Sequence, residues 1–227
     1  MTIHELVASL EPEINAVREQ IHENPELGLK EYNTSALIEK ELRAKTHVDR
    51  IEHIGETGLL VEIKGTKPGI AHCIALRGDM DALPIKEDEN HKLRSRTDGI
   101  MHACGHDVHT SILLGAVRVL EHYRNQIAGS ILFFFQPSEE TLQGGKLFAE
   151  SPKIDFHTID GVAALHVTPD LCAGKIGVRY GAILGSSDEL TITVKGKGGH
   201  GAHPDTVIDP ILLASQIVQA LQMLVSR

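Results

Sequence analysis

Residues 101–110 read MHACGHDVHT and carry one thiol, three imidazoles and one carboxylate around a single glycine. Ligand-type side chains at that density suit a metal or catalytic site. The plainer alternative is a polar loop in a chain that has 14 histidines. Cys104 and His106, two residues apart on a turn, could converge on one ion. Three other places offer comparable chemistry. Asp79 and Asp81 stand two apart in RGDMDALP. At most one of them is expected to face a given metal while the other orients a ligand from behind; an Asp-rich turn closed by Pro84 is the alternative. Glu139 and Glu140 follow Pro137 and Ser138. Such a pair suits a division of labour, one carboxylate as ligand and the other as general base, and a solvated pair is the competing view. His166 stands at the end of GVAALHV, just before Val167, as a ligand or as a satisfied core histidine. Mixed N, O and S donors suit Zn2+ best, with Mn2+, Co2+ or Ni2+ also compatible.

The elements that would position these groups follow from periodicity. Ile3, Leu6, Val7, Leu10, Ile14, Val17 and Ile21 recur at helical spacing and predict a long helix ending near Asn24-Pro25. The following HENPELGLKE is either a functional loop around His22 and Glu26 or a helix stop made by Pro25 and Gly28. A second helix is expected over 34–44, then strands over 48–54, 58–63 and 71–76. Residues 86–99 are polar and predict a surface loop. Val108, Ile112, Leu113, Ala116, Val117 and Leu120 form one face of a helix over 106–123, which puts MHACGHD at a helix N-terminus. That position is expected to help hold Cys104 as a thiolate. GSILFFFQ, 129–136, is a strand buried on both faces after a helix, as in a βαβ unit, and 161–167 is a second buried strand. The candidate groups thus fall near strand ends or a helix start, where the crevice of an open α/β sheet binds ligands.

Composition narrows the function. A chain of 227 residues, 41% hydrophobic and 23% charged, is ample for a globular core. A net charge of −9 and a pI near 5.8 leave no basic face for nucleic acid or anionic membrane. No signal core or membrane-length apolar run is present, so a cytoplasmic location is expected. Cys73, Cys104 and Cys172 suggest no disulfide framework.

ALRGDMDALPI, MHACGHDVHT, FFFQPSEE and ALHV, in this order and spacing, together with IHENPELGLKE, resemble the hippurate hydrolase and N-acyl-amino-acid amidohydrolase branch of the two-metal aminoacylase and carboxypeptidase superfamily. The resemblance implies an α/β fold, a mostly parallel central sheet flanked by helices as in zinc exopeptidases, with the start of an inserted α+β lid. It implies that Cys104, His106, Glu140 and His166 hold two divalent metal ions, Cys104 bridging them, while His102 and His109 have no such role. Asp79 and Asp81 would support the ligands from behind. Glu139 would be the general base that takes a proton from the attacking water and passes it to the leaving amine. The substrate would be an N-acyl or N-aroyl amino acid, or a small dipeptide-like amide.

In such proteins the segment 187–227 begins the lid and dimerisation domain, after a catalytic domain over 1–186. ELTITVK, 189–195, alternates like a strand, GKGGHGAHP follows, and 208–225 forms an amphipathic helix. By the resemblance, His200 reaches an active site, often across a homodimer, and binds the substrate carbonyl. Members of the family run longer and supply a last metal-binding histidine near their C-terminus. On that basis the chain is expected to be a truncated form that binds metal weakly and hydrolyses poorly or not at all. Two other readings are a catalytically inactive fragment serving for dimerisation or partner binding, and a mononuclear structural zinc site.

Overall fold

GSILFFFQ forms the middle strand of a five-stranded sheet, buried on both faces as its unbroken apolar pattern requires. Phe133 and Phe135 point to one side, Leu132 and Phe134 to the other. The computed structural model describes residues 1–183, 185 and 190–224, in two compact units, Met1–Cys172 and Ala173–Arg227.

In the first unit the order is α1 (Ile3–Glu23), α2 (Tyr32–Lys45), β1 (Arg50–Ile54), β2 (Gly58–Lys64), β3 (His72–Asp79), α3 (His106–His122), β4 (Gly129–Gln136), α4 (Gly144–Ala149) and β5 (Gly161–Ala164). The strands lie in the order β1-β2-β4-β3-β5. β4, β3 and β5 run parallel, as the expected βαβ crossover through α3 demands, while β1 and β2 join antiparallel, so the sheet is mixed. α1 starts with a capping box in which Thr2 and Glu5 satisfy each other's backbone N–H groups.

One face of the sheet packs against α1, α2 and α3, through Val17, Ile21, Ile38, Leu42, Leu114 and Val117 over Leu59, Val61, Phe133 and Phe135. The other face is covered by Phe148 of α4 and Ile154 over Leu60, Ala75 and Phe134. The expectation that GVAALHV is a buried strand ending in His166 is corrected. β5 stops at Ala164, pairs only with β3 among the described residues, and leaves Val162 58% exposed. An edge strand has a neighbour on one side only, so an apolar run alone does not place it in the interior.

The second unit holds α5 (Pro210–Leu224), none of whose described residues is buried. The expected strand over 189–195 falls partly on Glu189, outside the described residues. Residues 190–195 form no ladder, and the described pairing is a single bridge, Lys197 with Ile208. Alternating side chains make a strand only where a neighbour takes its backbone hydrogen bonds. No described helix is long and apolar enough to cross a membrane.

Candidate metal centre

Three segments deliver the candidate ligands. The first is the start of α3. Gly105 caps this helix with φ +86°, and a Cβ built there would lie 2.5 Å from Val167 Cγ2. Both the left-handed backbone and the close approach therefore demand glycine. Cys104 and His106 flank it.

The second segment is the turn after β4. Ser138 is buried and left-handed, φ +53°, a conformation that costs a non-glycine residue on the order of 1 kcal/mol or more. Its N–H donates to Glu31 Oε1 at 2.8 Å, and Glu31 also accepts from Thr57 Oγ1 at 2.8 Å and Leu29 N–H at 3.1 Å. Burial pushes the pKa of Glu31 up, only partly opposed by these bonds. The next two residues are fixed from the segment just after β3. Asp81 Oδ1 accepts the N–H of Glu139 at 2.9 Å, and Asp81 Oδ2 accepts that of Glu140 at 3.0 Å.

The third is the loop after β5, where His109 Nε2 accepts the N–H of Val167 at 2.9 Å, next to His166.

The two candidate ligand histidines share one hydrogen-bonding device. His106 Nδ1 lies 2.8 Å from the carbonyl oxygen of Asp81, and His166 Nδ1 lies 2.6 Å from that of Val167. A carbonyl only accepts, so each ring donates from Nδ1 and turns Nε2 toward the site. His166 Nε2 stands 3.4 Å from Cys104 Sγ. His106 Nε2 stands 3.8 Å from both Glu139 Oε2 and Glu140 Oε1. Donor atoms of Cys104, His106 and His166 lie within 4.8 Å of one another, as do those of His106, Glu139 and Glu140, and those of Asp79, His106 and His109.

The donor set fits a cation. Among the described residues, His106 Nε2 and Glu140 Oε1 are buried without a hydrogen-bond partner. Burial, then Glu140, Glu139 and Asp79, push the Cys104 thiol up to about 12. Burial also raises the pKa of Glu140. For His106, burial opposes the charged ring, but Asp81, Asp79 and Glu140 outweigh it and raise its pKa. Each shift records negative charge wanting a positive partner, which a divalent ion would supply. Beside the helix N-terminus, burial and three carboxylates still raise the Cys104 thiol, so a thiolate there calls for a cation.

Asp79 and Asp81 both reach the same imidazole, as residues i and i+2 of an extended chain can: Asp79 Oδ2 lies 3.6 Å from His106 Nε2 and Asp81 Oδ1 lies 3.3 Å from His106 Nδ1. Burial raises the Asp79 pKa, but His109 and Arg77 outweigh it and hold the carboxyl at about 2. His102 is buried with neither ring nitrogen partnered among the described residues, and belongs to none of the three groups. His200, in the second unit, is exposed and accepts the N–H of Ala202 at 3.1 Å.

HENPELGLKE serves two ends. Glu26 accepts the N–H groups of Asn33 and Thr34 at 3.1 and 2.8 Å and so caps the start of α2. His22 instead bonds Asp107 at 2.9 Å, behind the site. Sequence reasoning missed Glu31 and His109. The signal for His109 was its place three residues after His106, on the same helix face; Glu31 carried none.

Residues 75–226 match the family described as Peptidase family M20/M25/M40. The N-acetylcysteine deacetylase of Bacillus subtilis (strain 168) is 40% identical over 215 residues, covering 93% of this chain and 54% of the relative. The N-acyl-L-amino acid amidohydrolase of Geobacillus stearothermophilus is 37% identical, covering 99% and 60%. A crystal structure from Bacillus subtilis, described as a dinuclear metal binding peptidase from the M20 family, superposes with TM-score 0.70 at 34% identity, over 76% of this chain and 47% of that one. The chain spans about half the length of these relatives. It belongs to peptidase family M20/M25/M40.

Proposed function

We propose that this chain carries the metal-binding half of an amidohydrolase that cleaves N-acyl or N-aroyl amino acids, or small dipeptide-like amides, to a carboxylic acid and a free amino acid. The observation that carries the reading is the convergence on His106 of Cys104, Glu139, Glu140 and His166, with His106 Nε2 and Glu140 Oε1 unsatisfied. The relatives named as a deacetylase and an amidohydrolase supply the reaction class.

Cys104, His106, Glu140 and His166 would hold two divalent ions, Zn2+, Mn2+, Co2+ or Ni2+. These would supply Lewis acidity toward the scissile carbonyl and the attacking water. Glu139 accepts the proton of that water on its carboxylate and returns it to the amine nitrogen as the C–N bond breaks. Its backbone is pinned by Asp81, so the carboxylate pivots from a fixed base. Asp81 also accepts from His106 through its carbonyl, which sets the imidazole tautomer.

Residues 187–227 form, in this reading, the beginning of a lid through which two copies pair, with His200 contacting the substrate carbonyl. The exposed Ile211, Leu212 and Val218 of α5 support the pairing. Three free cysteines support a reducing, cytoplasmic setting.

The test is cation titration of the full chain with thiol labelling and an amino-acid release assay. Bound cation is expected to protect Cys104, and any release from N-acetyl amino acids or hippurate is expected to fall about 10²–10⁴-fold in Glu139→Gln. Cation that leaves Cys104 labelling unchanged, or hydrolysis undiminished in Glu139→Gln, overturns the proposal.

A further inference from the structure

His109 is buried, with its side chain 1% exposed, and both its ring nitrogens are engaged. Nδ1 lies 2.7 Å from Asp79 Oδ1, while Nε2 accepts the backbone N–H of Val167 at 2.9 Å. An N–H can only donate, so Nε2 carries the lone pair and Nδ1 carries the proton that Asp79 accepts. Asp79 is fixed in turn, accepting from Arg77 Nη1 at 2.6 Å, and Arg77 Nε donates to Gln136 at 2.9 Å. A continuous chain of hydrogen bonds thus runs from the end of β4 through β3 and α3 to the loop beyond β5. Its last link is the residue after His166.

That loop needs an outside anchor. β5 ends at Ala164, two residues before His166, and His166 itself is exposed. The ring of His109 lies 4.6 Å from that of His166, centroid to centroid. The N–H of Val167 goes to His109 and its carbonyl accepts from His166 Nδ1, so both backbone polar groups of Val167 are tied.

We propose that His109 is a positioning residue, held as the neutral Nδ1–H tautomer by Asp79, that sets where His166 stands by capturing the backbone N–H of Val167. It is not a metal ligand, although its donor atom lies within 4.8 Å of those of Asp79 and His106. With Nδ1 protonated and Nε2 spent on Val167, no lone pair remains for a cation. Outer partners of this kind typically affect metal affinity by about 10–100-fold. The inference rests on the metal-centre reading for its consequence but not for its geometry.

The two nitrogens can be separated by substitution. An asparagine amide reaches about as far as Nδ1 and a glutamine amide about as far as Nε2. His109→Asn would keep the Asp79 bond and lose Val167; His109→Gln would keep an acceptor for Val167. The expected result is a cation affinity lowered about 10–100-fold in His109→Asn and restored to within about threefold in His109→Gln. The Val167 amide should exchange with solvent faster in His109→Asn alone. On the unsubstituted chain, 15N-histidine spectra should show His109 protonated at Nδ1 and bare at Nε2, with and without cation. Equal cation affinity in the two variants overturns the proposal, as does a His109 protonated at Nε2 or one whose resonance is lost to direct ligation. If the unsubstituted chain binds no cation, the metal-centre reading fails, while the tautomer and the Val167 exchange rate still decide the role of His109.

Discussion

Cys104 Sγ stands 3.4 Å from His166 Nε2, although 62 residues separate them in the chain. Neither is held by its own element alone. Gly105 turns the chain so that Cys104 precedes α3, and Val167 packs where a side chain on Gly105 would lie. Gly105→Ala therefore imposes a left-handed alanine, about 1–2 kcal/mol, and displaces Val167. We expect a lower urea midpoint together with a lower cation affinity. Unchanged affinity in a folded Gly105→Ala chain would show that the Gly105–Val167 approach does not set the site.

Asp81 grips the backbone of both acidic residues. In Asp81→Asn one oxygen becomes an NH2 that faces an N–H donor, leaving that donor unsatisfied at about 1–3 kcal/mol. Calorimetric titration should show cation binding weakened about 10–100-fold while the folded far-UV spectrum persists. Wild-type affinity in this variant would sink the assignment.

Glu139→Gln keeps the shape of the side chain and removes its basicity. Any amide hydrolysis should fall about 10²–10⁴-fold while cation affinity stays close to that of the unsubstituted chain. A variant that loses the cation instead would make Glu139 a ligand.

His22 gives a pH dependence with a definite sign. The bond to Asp107 foremost, then Glu87, raises its pKa above the ordinary histidine value against the opposition of burial. Arg18 also pairs with Asp107, at 3.2 Å, and His102 lies with its ring 6.5 Å away. The folded chain binds this proton more tightly than the unfolded one. Its contribution to stability is complete below about pH 6.5 and is lost as the pH rises through the raised value. Urea midpoints should decline over that window, and His22→Gln should flatten the decline. An identical slope in the variant would contradict the assignment.

Much of this is legible in the sequence alone. GSILFFFQ announced a strand buried on both sides because it has no polar alternation, and β4 spans the residues expected. The helical stripe from Ile3 to Ile21 was equally plain, since spacing alone defines a helix face. The pairing of Cys104 with His106 and the adjacency of Glu139 to Glu140 lay open in short motifs. Less visible was whatever depends on a distant partner. Glu31 supports Ser138 across 107 residues, and nothing around Glu31 in the sequence points there. Asp79 and Asp81 stand at the two ring nitrogens of His106, which depends on where α3 brings that ring and not on their own spacing. Residues 161–167 looked interior because composition reports apolarity and not the number of neighbouring strands.

The central claim is that Cys104, with His106, Glu140 and His166, holds a divalent cation. Co2+ titration of the full chain tests it most directly, because a thiolate ligand gives an intense near-ultraviolet charge-transfer band that oxygen and nitrogen ligands do not. The band should grow with added Co2+, release the thiol proton as it does so, and disappear in Cys104→Ser. Co2+ that binds without this band, or a band that persists in Cys104→Ser, would contradict the claim.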